Sequence, residues 1–133
     1  MSESWEFRYH FYWRIAGWFY LAVIVYLSLT PDPPSISGLS NFDKIEHLAA
    51  YGLLMGWFTQ LYARLKQQVA WAILFCLFGI ALEFVQGWGG HRVFDVADMV
   101  ANALGVLLGW WLTRTVFAGF LLRVDRGISR LLG

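Results

Sequence analysis

The sequence has little cysteine and little charge. Cys76 is the only cysteine, so it can form no intramolecular disulfide. Because it lies within an apolar stretch, we expect it to be a small packing residue. Only 14% of the 133 residues are charged and the net charge is +1, so we expect no nucleic-acid partner. The sequence also lacks internal repeats, low-complexity tracts and domain linkers, which predicts one domain over residues 1–133.

Long stretches of apolar residues are the main feature of the chain. Hydrophobic residues make up 59% of it and the mean hydropathy is +0.53, well above that of an ordinary globular domain. Four apolar stretches, at about residues 11–30, 46–64, 69–88 and 96–115, each approach the ~20 residues that cross a ~30 Å hydrocarbon core. They predict an all-α integral membrane bundle of four transmembrane helices. The lipid bilayer that surrounds the bundle is the partner we expect.

The basic residues predict the orientation of this bundle. Lys44 and Arg92 lie at one end of the four stretches, and the other eight lie at the opposite end: Arg8, Arg14, Arg64, Lys66, Arg114, Arg123, Arg126 and Arg130. The positive-inside rule places the richer side in the cytoplasm. We therefore expect a multi-pass protein of the bacterial inner membrane with both termini cytoplasmic.

The first apolar stretch and residues 117–132 lie near the two ends of the chain. The first apolar stretch is followed by Ser28-Leu29-Thr30-Pro31, which lacks a small-x-small cleavage pattern, so we take the stretch as a helix rather than a signal peptide. Residues 117–132 space apolar side chains at helical intervals opposite Arg123, Arg126 and Arg130. This pattern predicts an amphipathic helix on the anionic cytoplasmic leaflet.

Polar side chains concentrate at the predicted outer ends of the helices. In the second stretch Asp43, His47 and Tyr51 follow one another at four-residue steps, so they share one helical face, and Lys44 flanks it. In the third stretch Glu83 lies five residues before Trp88, roughly 8 Å below the outer boundary at ~1.5 Å per residue. Lipid cannot solvate a carboxylate at that depth, so Glu83 must be paired, protonated or beside a wet cavity.

The fourth stretch repeats this pattern. Asp95, Asp98, Asn102, Gly105 and Gly109 follow one another at steps of three, four, three and four, so all five lie on one stripe. The polar residues occupy the outer half of that stripe. The two glycines in the inner half, with the pair at 52 and 56 as a counterpart, predict close helix packing.

These positions also carry a family resemblance. The chain resembles the VanZ-like family of small bacterial membrane proteins, and the matching pieces run in order along nearly its whole length: Ser28-Leu29-Thr30-Pro31, Asp43-Lys44-x-x-His47-x-x-x-Tyr51, Glu83-x-x-Gln86, Arg92 six residues later, and Asp98-x-x-x-Asn102-x-x-Gly105. One departure is Gly90-His91, where relatives often have Pro-Gly. The family's founding member is associated with low-level teicoplanin resistance, so the resemblance implies antibiotic resistance or other work at the cell envelope.

Three functions fit the polar cluster at this stage. A structural clamp would use Lys44 and Arg92 to neutralise the carboxylates and hold three helices together. A binding site for an envelope lipid, a lipid-linked precursor or an antibiotic-like ligand would use Arg92 to hold a phosphate. The candidate ligand-binding residues are Asp43, Lys44, His47, Glu83, Gln86, Arg92, Asp95, Asp98 and Asn102.

The third function is a metal-dependent or acid–base enzyme acting on an envelope lipid. Its catalytic candidates are Glu83, His47 and Asp98, which could also form a proton relay. Its metal candidates are Asp43, His47, Glu83 and Asp98, so a divalent cation is the cofactor we consider. Ser28 and Thr30 are nucleophile candidates by depth alone. The sequence leaves homo-oligomerisation open.

Overall fold

Five α-helices account for most of the chain. A computed structural model describes residues 6–31, 42–90 and 92–133, and within them it contains no β-strand. The helices are α1 (His10–Leu29), α2 (Phe42–Leu61), α3 (Leu65–Trp88), α4 (Val96–Thr115) and α5 (Phe120–Leu132). The all-α class predicted from the sequence is confirmed.

Three of the described helices, α1, α3 and α4, are long and apolar enough to cross a membrane. The second predicted span, α2, has the same 20 residues as α1 and α4, but Asp43, Lys44, Glu46 and His47 occupy its first two turns and make it more polar. The described part of the chain therefore has three candidate membrane spans, where the sequence predicted four transmembrane helices.

The predicted bounds differ most at helix starts. The fourth prediction, 96–115, coincides with α4, and the first lies one residue away from α1. The second and third, 46–64 and 69–88, begin four residues too late because each helix opens with polar residues that an apolar run does not include. The C-terminal prediction, 117–132, begins three residues too early because a turn precedes α5, with Gly119 in the left-handed region at φ 67°.

The helix α2 lies at the centre and packs against all four others. It runs parallel to α4, and the backbones of the two helices touch along the predicted glycine stripe. A Cβ atom on Gly105 would collide with the carbonyl oxygen of Leu48, and a Cβ atom on Gly109 with that of Gly52. The predicted role of these glycines in close packing is confirmed, since no larger residue permits this approach.

Aromatic side chains fill the space between α1, α2 and α3. Phe58 of α2 is 1% exposed, and its ring centroid lies 4.6 Å from Trp71 and 5.7 Å from Trp18. The start of α3 is fixed by Gln68, which donates to the Tyr62 carbonyl at 2.9 Å and accepts from Trp110 Nε1 at 3.0 Å. These contacts hold together the half of the bundle that lies away from the predicted site.

A buried carboxylate joins α5 to the start of α1. Asp125 is 1% exposed and accepts hydrogen bonds from the backbone N–H groups of Arg8, at 2.8 Å, and Tyr9, at 3.0 Å. Trp13 Nε1 donates to the same carboxylate at 2.7 Å. Arg8 and Tyr9 form the turn that leads into α1, and the N-cap residue Tyr9 makes no side-chain capping hydrogen bond, so Asp125 caps this turn from a distant helix.

Candidate functional site

Four segment ends meet at the end of the bundle opposite α5. Successive helices alternate in direction, so the end of α1, the start of α2, the end of α3 and the start of α4 converge there. All nine predicted ligand-binding residues lie within the described part of the chain, at or near this end: Asp43, Lys44, His47, Glu83, Gln86, Arg92, Asp95, Asp98 and Asn102.

One of the two cations at this end is fully engaged by carboxylates. Lys44 Nζ lies 3.0 Å from Asp95, 3.5 Å from Asp98 and 3.6 Å from Asp43. Three negative charges surround a single ammonium group. Lys44 therefore links the starts of α2 and α4 and has little positive charge left for an external anion.

Asp95 has a second role as the N-cap of α4. Its side chain accepts a hydrogen bond from the backbone N–H of Ala97 at 2.8 Å. That hydrogen bond, followed by the one from Lys44, lowers the pKa of Asp95 below its ordinary value. Asp95 is thus held in its ionised form at the mouth of the site.

The three predicted catalytic residues form one cluster. One ligand atom from each of His47, Glu83 and Asp98 lies within 4.8 Å of the others. Glu83 is 2% exposed and Asp98 is 6% exposed, so both carboxylates are removed from water. Asp43, the fourth predicted metal ligand, lies beside Lys44 and outside this cluster.

The first helix also reaches the site, which the sequence left undecided. Gln86 is buried, and its Nε2 donates to the backbone carbonyl of Ser28 at 2.6 Å. Ser28 lines the central cavity, whereas the Thr30 hydroxyl donates to the Tyr26 carbonyl at 2.7 Å. Of the two nucleophile candidates, only Ser28 is therefore placed beside the cluster.

A cavity of about 140 Å³ lies at the centre of the site. Its polar wall includes His47, Glu83 and Asn102, and its apolar wall includes Ile24 and Leu27 of α1 and Leu82 of α3. Adjoining hollows of about 310 Å³ and about 130 Å³ open beside it, and Gln86 and Arg92 line all three. The space has a charged side and an apolar side.

The second cation at this end differs from Lys44. Arg92 lines each of the three hollows, yet no ion pair joins it to Asp43, Glu83, Asp95 or Asp98. Its guanidinium carries five N–H donors in a planar fork that suits phosphate and carboxylate groups. Arg92 is thus the side chain best placed to contact an anion in the cavity.

Three buried polar atoms at the site have no hydrogen-bond partner among residues 6–31, 42–90 and 92–133: Asp43 Oδ1, His47 Nδ1 and Asn102 Oδ1. An unpaired buried polar atom costs about 1–3 kcal/mol, so water or a bound group must complete each one. Asn102 is the strongest case because its residue is only 3% exposed and lines the cavity.

Three residues of α1 at the site, Tyr20, Ile24 and Leu27, were not among those predicted from the sequence. Ile24 and Leu27 line the cavity, and the Tyr20 hydroxyl donates to the Ala50 carbonyl at 3.0 Å, one turn below His47. No polar pattern in the first apolar stretch marks these positions. The clearest signal available was Tyr20 itself, since a phenol within a membrane helix needs a hydrogen-bond partner.

Three apolar helices and a polar cavity at one end of the bundle indicate a small all-helical membrane protein. The chain matches the VanZ/LLP1 family model over residues 15–119 and belongs to that family, which confirms the family resemblance seen in the sequence. No curated protein and no solved structure shows a significant match to the chain.

Proposed function

We propose that this protein crosses the bacterial inner membrane four times, with both termini cytoplasmic, and binds the phosphate-bearing headgroup of an anionic envelope lipid at the outer leaflet. Arg92 holds the phosphate in this proposal. The observation that supports it best is the contrast between the two cations: three carboxylates engage Lys44, whereas Arg92 faces the cavity and no ion pair joins it to those carboxylates.

The position of α2 supports a fourth crossing. It lies between the three apolar helices and has 20 residues, about 30 Å at ~1.5 Å per residue. Its polar first turns face the cavity and α4 rather than lipid, as polar residues in a membrane must. The eight basic residues at the α5 end support a cytoplasmic location for that end.

The size of the cavity favours a headgroup over a whole antibiotic. Sites for drug-sized ligands usually have volumes of about 300–1,000 Å³, and the central cavity has only about 140 Å³, so a larger ligand would have to occupy the adjoining hollows as well. A single water molecule takes about 30 Å³ in the liquid, so this space suits one phosphate group and a few waters. The apolar wall formed by Ile24, Leu27 and Leu82 suits the adjoining lipid chain.

A purely structural clamp explains the site less well. A clamp gains from pairing its charges and closing its hydrogen bonds, and the Lys44 pairs meet that description. Arg92 and the unpartnered oxygen of Asn102 do not fit the description of a clamp, because both border open space. We therefore assign the clamp to Lys44 and the binding role to Arg92.

Native mass spectrometry of the purified protein in detergent tests this proposal. The panel contains undecaprenyl phosphate, an anionic glycerophospholipid and a zwitterionic one. We expect selective retention of an anionic lipid by the wild-type protein. Arg92→Gln should weaken retention by about 10- to 150-fold, the equivalent of one charge-assisted contact of about 1.5–3 kcal/mol.

Arg64→Gln is the matched control, since Arg64 is exposed and lies at the opposite end of the bundle. It removes the same charge and should leave lipid retention unchanged. Equal losses in both variants, or no preference among the lipids in the wild-type protein, would contradict the proposal. Circular dichroism of each variant establishes that it is folded.

A further inference from the structure

We infer that a binding site for one divalent transition-metal ion, such as Zn²⁺ or Mn²⁺, lies between the central cavity and the adjoining hollow of about 310 Å³, and that it is formed by His47, Glu83, Asp98 and Asn102. This site goes beyond the proposed lipid binding and does not require it. Three helices supply the four side chains, so the ion would join α2, α3 and α4 at the cavity.

The distances suit a single ion. Three donor atoms at about 2.0–2.2 Å from a shared ion lie about 3.3–3.8 Å from one another in tetrahedral or trigonal geometry. One donor atom from each of His47, Glu83 and Asp98 lies within 4.8 Å of the other two. Movements of less than about 1 Å would therefore complete the coordination, a range that side-chain rotation covers.

Each carboxylate in the cluster uses one oxygen within the protein and has another oxygen available. Asp98 Oδ1 lies 3.5 Å from Lys44, whereas Oδ2 lies 3.7 Å from His47 Nδ1. Glu83 Oε2 accepts a long hydrogen bond of 3.4 Å from the Asp95 N–H, which leaves Oε1. The protein contacts orient both groups, as outer-shell partners orient metal ligands.

Asn102 provides an observation independent of the acidic cluster. It lies one helical turn beyond Asp98, is 3% exposed and lines the cavity, and its Oδ1 accepts no hydrogen bond from the described residues. Among the same residues, the buried ring atom His47 Nδ1 also lacks a hydrogen-bond partner. An amide oxygen and an imidazole nitrogen beside two carboxylates are all atoms that can bind a cation.

The charge and the chemistry of these donors indicate the class of ion. Two buried carboxylates close together repel each other, and a divalent ion neutralises both. An all-oxygen site would favour Mg²⁺ or Ca²⁺, but the imidazole shifts the preference towards Zn²⁺ or Mn²⁺. Metal ions that require thiolate ligands do not fit this set, because it consists of two carboxylates, an amide oxygen and one nitrogen.

Metal binding is tested on the full-length protein in detergent, without lipid. After treatment with a chelator and its removal, Zn²⁺ or Mn²⁺ is titrated calorimetrically, and elemental analysis measures the bound metal. We expect one ion per chain. Glu83→Gln and Asp98→Asn each keep side-chain size but replace a charged carboxylate ligand by a neutral, weaker amide ligand, and each should lower the affinity by more than about 100-fold, above the 10- to 100-fold typical of an outer-shell partner.

Asp43→Asn is the matched control, because it removes a carboxylate that lies beside Lys44 and outside the cluster. It should bind the ion as the wild-type protein does. A wild-type protein without stoichiometric metal, or a loss in Asp43→Asn as large as in Glu83→Gln, would overturn the inference. Neither result depends on lipid retention by Arg92, so the two proposals fail separately.

Pulsed electron paramagnetic resonance of the Mn²⁺-loaded protein decides the matter even if the carboxylate variants do not fold. We expect coupling to one imidazole nitrogen in the wild-type spectrum. The coupling should persist in His10→Gln, which changes a histidine at the other end of the bundle, and should vanish in His47→Gln. A wild-type spectrum without nitrogen coupling would overturn the inference.

Discussion

Replacement of Asp125 by alanine tests how strongly α5 is bound to the bundle. The side chain is 1% exposed and accepts three hydrogen bonds, from the N–H groups of Arg8 and Tyr9 and from Trp13 Nε1. Hydrogen bonds to a charged group are worth about 1.5–3 kcal/mol each, but the freed N–H groups can regain water at the end of α1. We therefore expect the free energy of unfolding to fall by about 3–5 kcal/mol, which is less than the sum of three such hydrogen bonds.

The assay is equilibrium unfolding in mixed detergent with increasing dodecyl sulfate, followed by tryptophan fluorescence. Ser129→Ala is the control on the same helix, because the Ser129 hydroxyl donates only to the Asp125 carbonyl one turn back, at 2.9 Å. It should change the free energy by less than about 0.5 kcal/mol. Hydrogen exchange should also become faster at the amides of Arg8 and Tyr9 in Asp125→Ala alone. Equal stability of the two variants would refute the cap.

The same contact predicts a pH dependence. Burial acts to raise the pKa of Asp125, but the hydrogen bonds from Trp13 and from the two N–H groups outweigh it and lower the pKa below its ordinary value. A carboxyl group with a lowered pKa stabilises the folded state above its unfolded pKa of about 3.9 and loses that effect as the pH falls through the folded value. The stability difference between wild type and Asp125→Asn should thus be constant near neutrality and shrink only below about pH 4.

Three other predictions concern packing and topology. Gln86→Ala removes the 2.6 Å hydrogen bond from α3 to the Ser28 carbonyl of α1. It should reduce the free energy of unfolding in the same assay by about 1–3 kcal/mol. An unchanged free energy would show that this hydrogen bond does not join α1 to α3. Gln68→Ala removes several buried hydrogen bonds and should have a larger effect, of about 2–4 kcal/mol. In a Cys76→Ser background, an impermeant maleimide should label Val93→Cys but not Arg64→Cys in intact cells, and the opposite pattern would reverse the proposed orientation.

Much of the helical architecture could be predicted from apolar length alone. The fourth helix agrees with its prediction because Asp95 caps it just before the apolar run begins, so the chemical boundary and the structural boundary coincide. The start of α2 does not agree with its prediction, because Asp43 and Lys44 belong to the helix although they are polar. A hydropathy pattern cannot include such residues in a membrane helix.

The candidate site could be predicted as a list of residues but not as a set of contacts. Four-residue spacing placed His47 beside Asp43 and Asp98 beside Asn102 on their own helices. The sequence could not decide which cation the carboxylates would engage, since that depends on how α2 and α4 approach each other. For the same reason the cap formed by Asp125 left no trace in the local pattern.

The glycine contact between α2 and α4 also sets the width of the site. Gly105 lies seven residues, about 10 Å, from Asp98 and touches the backbone beside His47. Main-chain atoms cannot change rotamer as side chains do, so the crossing acts as a fixed spacer between the two helices. One added methyl group at Gly105 would separate them at that point and widen the gap between His47 and Asp98. In a genetic screen, substitutions in the glycine stripe would therefore have the effects of substitutions in the cavity itself.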